Sequence, residues 1–357
     1  MKAIGKYLIE KESLGKGQFG HVFRCRLKED AQQQLAVKII QKKQLNPRLF
    51  TNLKNEINIL AKIESKYVIK LVDIQRTENN FYLFMELCNG GDLDKLKEIR
   101  GKFSETEARL MLQQLVLGFQ EIYKQKVMHR DLKLANILVN FPGKDLSFKE
   151  APLEQRPERL RETLKHMDLV ANRIEVKIAD LGFAREMQYE DLSQTMCGTP
   201  LVMAPEVLNG RLYNHKADVW SLGIVFFEML TGFTPFTGRD KNDLRRNLEK
   251  GVYKLPKTLK LSLQGLHFLN GCLQFDQEKR LTWQELVSHP YITADPLKNE
   301  ADELRLSYSV ESGHYVINEE ELLRSQSQLS EVNAIMLNCR DPQQFDKVGP
   351  QSLNLPT

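Results

Sequence analysis

Long apolar runs are missing from this 357-residue chain. No stretch of ~18 consecutive apolar residues occurs, so no segment reads as a membrane-spanning helix. The opening MKAIGKYLIEKESLGKG also lacks the apolar centre of a secretory leader. Cysteine is sparse: Cys25, Cys88, Cys197, Cys272 and Cys339 lie far apart with no C-x-x-C pair. That spacing argues against a disulfide framework and against a zinc site, and fits a reducing compartment. A charge excess of one sign is missing too. The 51 Lys and Arg residues are interleaved with 47 Asp and Glu residues for a net charge of +4, so nucleic acid is not expected as a ligand. Internal repeats are absent. The expectation is a soluble, cytoplasmic, globular protein whose hydrophobic content of 41% suffices to build real cores.

What is present changes character along the chain. Residues 7–40 alternate apolar and polar in short runs (KYLIEKESL, HVFRCRL, LAVKII), the period of strands. NLKNEINILAKI then places Leu53, Ile57, Leu60 and Ile63 at helical spacing. Strands resume in KLVDIQ and FYLFMEL and stop at Asn89-Gly90-Gly91, a turn signal and a candidate domain boundary. Helical patterns follow in ETEARLMLQQLVLGFQEIY, DVWSLGIVFFEMLTG, LSLQGLHFLNGCL and TWQELVSHP. A small β-rich half therefore precedes a larger helical half. Residues 141–172 carry balanced charge, and LEQRPERLRETLKHMDLV can form a helix interrupted early by Pro157. In the polar tail, Asn318 and Glu321 form a capping box ahead of Leu322, Leu329, Val332 and Met336 on one face. A partner-binding helix over about 319–337 and a loosely ordered tail both stand as readings.

Four stretches carry chemistry. In LGKGQFGHV, Gly15, Gly17 and Gly20 let backbone N–H groups approach a phosphate. A dinucleotide site would need a helix to start at the third glycine, but HVFRCRL alternates as a strand. A glycine-rich hairpin over a nucleotide is favoured, beside the plainer reading of a tight hairpin. Lys38 sits in the apolar strand LAVKII, where an unpaired ammonium is costly to bury. It either pairs with Glu56 on the following helix and is aimed at phosphate oxygens, or snorkels at a strand edge. In VMHRDLKLANILV, polar residues lie between apolar flanks: a preorganised reaction site or a solvated turn. In the first case Asp131 can accept the proton of an attacking hydroxyl and Lys133 can neutralise phosphoryl charge. Asn136 can supply an oxygen to magnesium, and Asp180, between an apolar strand and Gly182 in VKIADLGFAR, can supply the second.

Together with TMCGTPLVMAPE and DVWSLG, these motifs resemble those of eukaryotic protein kinases in kind and order over about residues 7–292. The resemblance implies a bilobal α+β protein-kinase fold, with a β-rich N-lobe over about 7–88, a mainly helical C-lobe over about 89–292, a surface insertion over about 141–172, and a separate tail over 293–357. It implies ATP and Mg²⁺ as ligands and proteins as substrates. Lys38 would contact the α and β phosphates, Glu56 would orient it, Asp131 would be the base, and Asn136 and Asp180 the metal ligands. Leu14 and Gly15 begin the glycine-rich loop, and Val22, Ala36 and Leu138 would sandwich the purine. Met85 resembles the gatekeeper and Glu86 to Cys88 the adenine-binding hinge, while Asp92 is placed to reach the ribose. His129, Leu181, Leu60 and Leu71 would form an apolar spine, and Glu206 would pair with Arg280.

Lys133 and GTPLVMAPE resemble serine/threonine kinases, Phe183 those that prefer serine, and Ala135 replaces the glutamate of arginine-directed kinases. The phrasing KIADLGFAR, MCGTPLVMAPE and KADVWSLG is most similar to the autophagy-initiating, Unc-51-like kinases. Thr195 resembles an activating phosphorylation site, with Arg130 and Arg185 as the cations that would receive its phosphate. Leu181 stands in place of the usual phenylalanine and Val202 in place of a common tyrosine. An active kinase and a pseudokinase scaffold are the two readings compatible with the fold, and loss of Lys38, Asp131, Asn136 or Asp180 would favour the scaffold. All four are present.

Overall fold

The computed structural model describes residues 1–296 except 18, 19, 31, 149, 182–184, 187–199, 212, 213 and 252. All of them belong to one unit, Met1–Leu306. The tail helix expected over 319–337, Gly182, Phe183 and Thr195 lie outside the described residues.

Alternating side chains in the first 86 residues make one antiparallel sheet. Its strands are β1 (Lys2–Ile4), β2 (Tyr7–Gly17), β3 (Gly20–Leu27), β4 (Gln34–Gln41), β5 (Leu71–Arg76) and β6 (Asn80–Glu86), in the order β1-β2-β3-β4-β6-β5. One face buries Tyr7, Ile9, Cys25, Leu35, Val37, Tyr82 and Phe84. On the other, Ile40 and Leu83 pack with Leu53 of the helix α1 (Pro47–Leu60). This helix starts earlier than its apolar spacing indicates, because Asn46 caps it: its Oδ1 accepts from the Leu49 N–H at 2.9 Å, and Pro47 occupies the first turn. The short strand β1 had no periodicity to announce it.

The rest of the described chain is mostly helical: α2 (Leu93–Arg100), α3 (Glu105–Lys124), α4 (Arg156–His166), α5 (Pro205–Leu208), α6 (Lys216–Thr231), α7 (Lys241–Lys250), α8 (Leu263–Cys272), α9 (Trp283–Ser288) and α10 (Pro290–Thr293). Short strand pairs interrupt it, β8 (Ile137–Asn140) with β9 (Glu175–Ile178) and β7 (Val127–Met128) with β10 (Arg185–Glu186). This is the bilobal α+β architecture. Mostly apolar, α6 is buried along nearly its whole length and packs against α3 and α8. The lobes are stitched where the loop after α1 meets β9: the Ile69 N–H donates to the Ile178 carbonyl at 2.9 Å and the Ile178 N–H to the Tyr67 carbonyl at 2.8 Å.

The segment 141–172 is more than a surface addition. Leu146, Ala151, Leu164 and Leu169 are buried, and Pro157 lies in the first turn of α4, where its missing N–H has no cost, so it starts the helix instead of interrupting it.

Glu206 and Arg280 form a buried pair in the helical lobe. Two guanidinium N–H groups donate to the two carboxylate oxygens at 2.7 and 2.9 Å, and others reach the Lys216 and Gln274 carbonyls. Removing one member leaves an uncompensated buried charge. Glu206→Ala is expected to cost about 3–5 kcal/mol in denaturant unfolding; a loss below about 1 kcal/mol would show that the pair is solvated in solution.

Candidate active site

Between the lobes lies a cleft of roughly 770 Å³. Its roof comes from the β2–β3 hairpin: Leu14, Gly15 and Val22 face it, and Ala36 of the neighbouring strand completes the ceiling. Gly17 ends β2 opposite Gly20 of β3, so the glycine-rich stretch joins two paired strands and is not followed by a helix. Gly20 is needed for space. A Cβ there would stand 2.0 Å from the Ile39 carbonyl oxygen, so only glycine lets β3 lie this close to β4. Leu138 forms part of the floor, and Met85, Glu86 and Cys88 form the back edge where the lobes join.

The Glu86 side chain turns away from that edge. Its Oε1 accepts from the Lys70 N–H at 2.8 Å, and its Oε2 lies 3.1 Å from the Lys177 Nζ. Cys88 is half-buried, and burial, with Glu86 adding, pushes its thiol up to about 12, so the group stays protonated. Asp92 caps α2: Oδ1 accepts from the Lys95 N–H at 2.9 Å and Oδ2 pairs with the Lys95 Nζ at 3.0 Å.

At the inner end, Lys38 and Glu56 meet at 3.2 Å with both side chains buried. Burial works against the ammonium, yet Glu56 and then Asp180 outweigh it and hold Lys38 above its ordinary pKa. The strand-edge snorkel is thereby set aside. Asp131 is 3% exposed; its Oδ2 accepts from Lys133 Nζ at 2.7 Å and from Asn136 Nδ2 at 3.2 Å. With that nitrogen also donating to the Asp131 carbonyl at 2.8 Å, Asn136 keeps its oxygen as the remaining ligand atom. Asp180 stands at φ +60°, a conformation unusual outside glycine, and its Oδ1 is buried with no hydrogen-bond partner. A buried carboxylate oxygen held without a donor, facing a cleft that also presents an amide oxygen, fits a hard cation such as Mg²⁺.

The backbone of this loop is held from below. Asp218, at the start of α6, accepts the His129 N–H and the Arg130 N–H, each at 2.9 Å, and the Tyr123 hydroxyl at 3.1 Å. Arg130 is thereby kept at φ +68°. The Asp131 N–H donates to His129 Nδ1 at 3.3 Å, so the other ring nitrogen carries the proton toward the Ala179 carbonyl at 3.2 Å. Arg185 pairs in register with Met128, two residues before Arg130, which brings its backbone beside this loop.

A family model described as "Protein kinase domain" matches residues 8–292. The chain belongs to the protein kinase family. The kinase is 36% identical over 299 residues to the serine/threonine-protein kinase ULK1 of Homo sapiens, covering 83% of this chain and 26% of that protein. It is 33% identical over 294 residues to the serine/threonine-protein kinase ATG1c of Arabidopsis thaliana, covering 82% and 36% of the two chains. With the serine/threonine-protein kinase ULK3 of Mus musculus the identity is 33% over 285 residues, 80% of this chain and 54% of the other. The kinase thus spans between about a quarter and about half of these relatives' lengths. The Unc-51-like resemblance agrees with these relatives.

Two departures from the family pattern are accommodated by packing. Leu181 is fully buried, which is what its position demands. Val202 is also buried, and its carbonyl accepts the Ser221 hydroxyl at 3.1 Å, so the turn before α5 is tied to α6 without a tyrosine. Sequence reasoning passed over Asp218 and Lys177. The signal for each was present: a charged residue in an otherwise apolar run, DVWSLG and VKIAD.

Asp218→Ala would leave one buried and one half-buried backbone N–H group without acceptors. The kinase is expected to lose about 2–4 kcal/mol of stability in denaturant unfolding; an unchanged midpoint would show that water replaces the carboxylate.

Proposed function

We propose that this kinase is catalytically active and transfers the γ-phosphoryl group of ATP to serine or threonine hydroxyls of proteins. The observation that supports this most is the convergence of a formed Lys38–Glu56 pair, an Asp131 oriented by Lys133 and Asn136, and the unpartnered Asp180 oxygen on one cleft. In this reading Lys38 holds the α and β phosphates, the Glu86–Cys88 backbone receives the adenine, and Asp92 faces the ribose. Asn136 and Asp180 hold Mg²⁺, which supplies charge neutralisation at the phosphates. Asp131 takes the hydroxyl proton of the substrate, and Lys133, 2.7 Å from it, neutralises charge developing on the phosphoryl oxygens. Loss of Lys38, Asp131, Asn136 or Asp180 would favour the pseudokinase scaffold instead, and the sequence keeps all four residues.

Regulation is assigned to Thr195. Its phosphate would bring about −1.5 to −2 charges toward Arg130 and Arg185 and order the segment before α5. The Unc-51-like likeness points to a cytoplasmic role in initiating autophagy, and the tail over 293–357 is the candidate contact for a regulatory partner.

The test is phosphate transfer to a degenerate peptide library. Asp131→Asn is expected to lower kcat by roughly 10²–10⁴ with the KM for ATP nearly unchanged. Asp180→Asn should raise the KM for Mg·ATP, and Thr195→Ala should lower activity without lowering thermal stability. Equal turnover in the wild type and both aspartate variants would leave only the scaffold reading; fully active protein with Thr195 unmodified by mass spectrometry would remove the regulatory one.

A further inference from the structure

The outer wall of the cleft is a short segment with little of its own to hold it still. Cys88, Gly91, Asp92, Asp94, Lys95 and Glu98 all face the cleft, and four of them lie on or cap α2. At 8 residues, α2 is too short to be stable alone and depends on what it is fastened to. From the lobe's core it receives Leu93 and Leu96, both fully buried, and the Lys97–Glu228 pair at 2.9 Å. Strand β8 adds two backbone bonds, the Gly90 N–H to the Val139 carbonyl at 2.9 Å and the Val139 N–H to the Gly91 carbonyl at 2.8 Å, and further side-chain ties reach the 141–172 segment.

These ties sit at the two ends of the wall. At the first, Asn89 commits its whole amide to the start of the insertion: Nδ2 donates to the Phe141 and Lys144 carbonyls at 3.0 and 2.8 Å, and Oδ1 accepts the Phe141 N–H at 2.9 Å. At the second, Arg100, the last residue of α2, reaches the end of α4. Its Nη1 donates to the Met167 carbonyl at 2.8 Å, the Leu164 carbonyl at 3.2 Å and, more weakly, the Lys165 carbonyl at 3.5 Å, while Nη2 pairs with Glu107 at 2.9 Å. Carbonyls at a helix C-terminus lack intrahelical donors and carry partial negative charge, so one guanidinium both caps α4 and anchors it. Glu107 is itself locked in the capping box of α3 with Ser104. Three helices therefore meet at Arg100.

We infer that the 141–172 insertion is a strut that holds the outer wall of the nucleotide cleft, with Arg100 and Asn89 as positioning residues for ATP binding. The inference rests on ATP occupying the cleft. A wall fixed before binding does not have to be ordered by the ligand, so the strut acts on nucleotide affinity and not on the phosphoryl-transfer step at Asp131.

The full chain is assayed on a peptide substrate with ATP varied. Arg100→Leu is expected to raise the KM for ATP about five-fold with kcat within about two-fold and the peptide KM unchanged. Arg100→Lys keeps the charge beside Glu107 but cannot span the carbonyls, so it recovers only part of the loss. Asn89→Ala, at the other tie, should shift the same constant in the same direction. KM does not depend on the fraction of molecules folded, so reduced yield does not mimic the effect. An unchanged ATP KM in Arg100→Leu and Asn89→Ala overturns the inference. Where neither variant folds, hydrogen exchange on the wild-type chain decides: Mg·ATP should slow exchange at residues 162–166 of α4 about three-fold or more. Protection at residues 86–88 with none in α4 overturns the strut alone. No protection at either place overturns both the strut and the nucleotide site on which it rests.

Discussion

Lys38 and Glu56 are two opposite charges taken out of water together, and the active geometry of the cleft depends on their staying together. Neither is tolerable alone at that depth. Lys38 is fixed on a central strand, paired with Val22 on one side and Leu83 on the other. Glu56 is on α1, which packs on the sheet through Leu53. The ion pair therefore sets how α1 lies on the sheet, and with it how the lysine points into the cleft. Asp180 joins the same electrostatic group and adds to what holds Lys38 charged. Its own position follows from the β8–β9 ladder, which places Ile178 against Ile137 and against the loop after α1.

A second group of interactions works on the opposite wall. Asp218 holds two successive backbone N–H groups, and the resulting left-handed turn at Arg130 presents Asp131 upward with Lys133 and Asn136 beside it. Arg130 and Asp180 both stand in the left-handed region beside the cleft; the Arg130 N–H is held by Asp218 of α6, and Asp180 directly follows the β9 ladder. Strain of this kind persists only where surrounding structure over-determines it. Here α6 supplies that constraint from below and β9 from behind.

Much of this was legible before any coordinates. Alternation in LAVKII and FYLFMEL marked paired strands, and the apolar run around Val219 to Leu230 marked a buried helix, because burial period is written directly in side-chain polarity. The Lys38–Glu56 pair was readable as two charges stranded among apolar neighbours. Other features were not readable, for physical reasons. The early start of α1 depends on a single cap at Asn46, and the end of α4 is held at the Leu164 carbonyl by Arg100, 64 residues away in sequence. Gly20 was readable as a glycine that lets backbone approach a phosphate, but not as one needed for space beside Ile39 of β4, a neighbour that exists only in the folded sheet. Balanced charge hid the insertion's buried side, because solvent-facing Glu and Lys residues of α4 outnumber its one buried leucine.

The central claim is that Lys38 and Glu56 act as one unit, and a double-mutant cycle on kcat/KM for Lys38→Met, Glu56→Gln and the combined variant tests it most directly. If the pair acts as a unit, either single change removes most of the activity that the double change removes, and the combined loss falls well short of the product of the single losses. Losses that multiply would show two independent residues and would contradict the account.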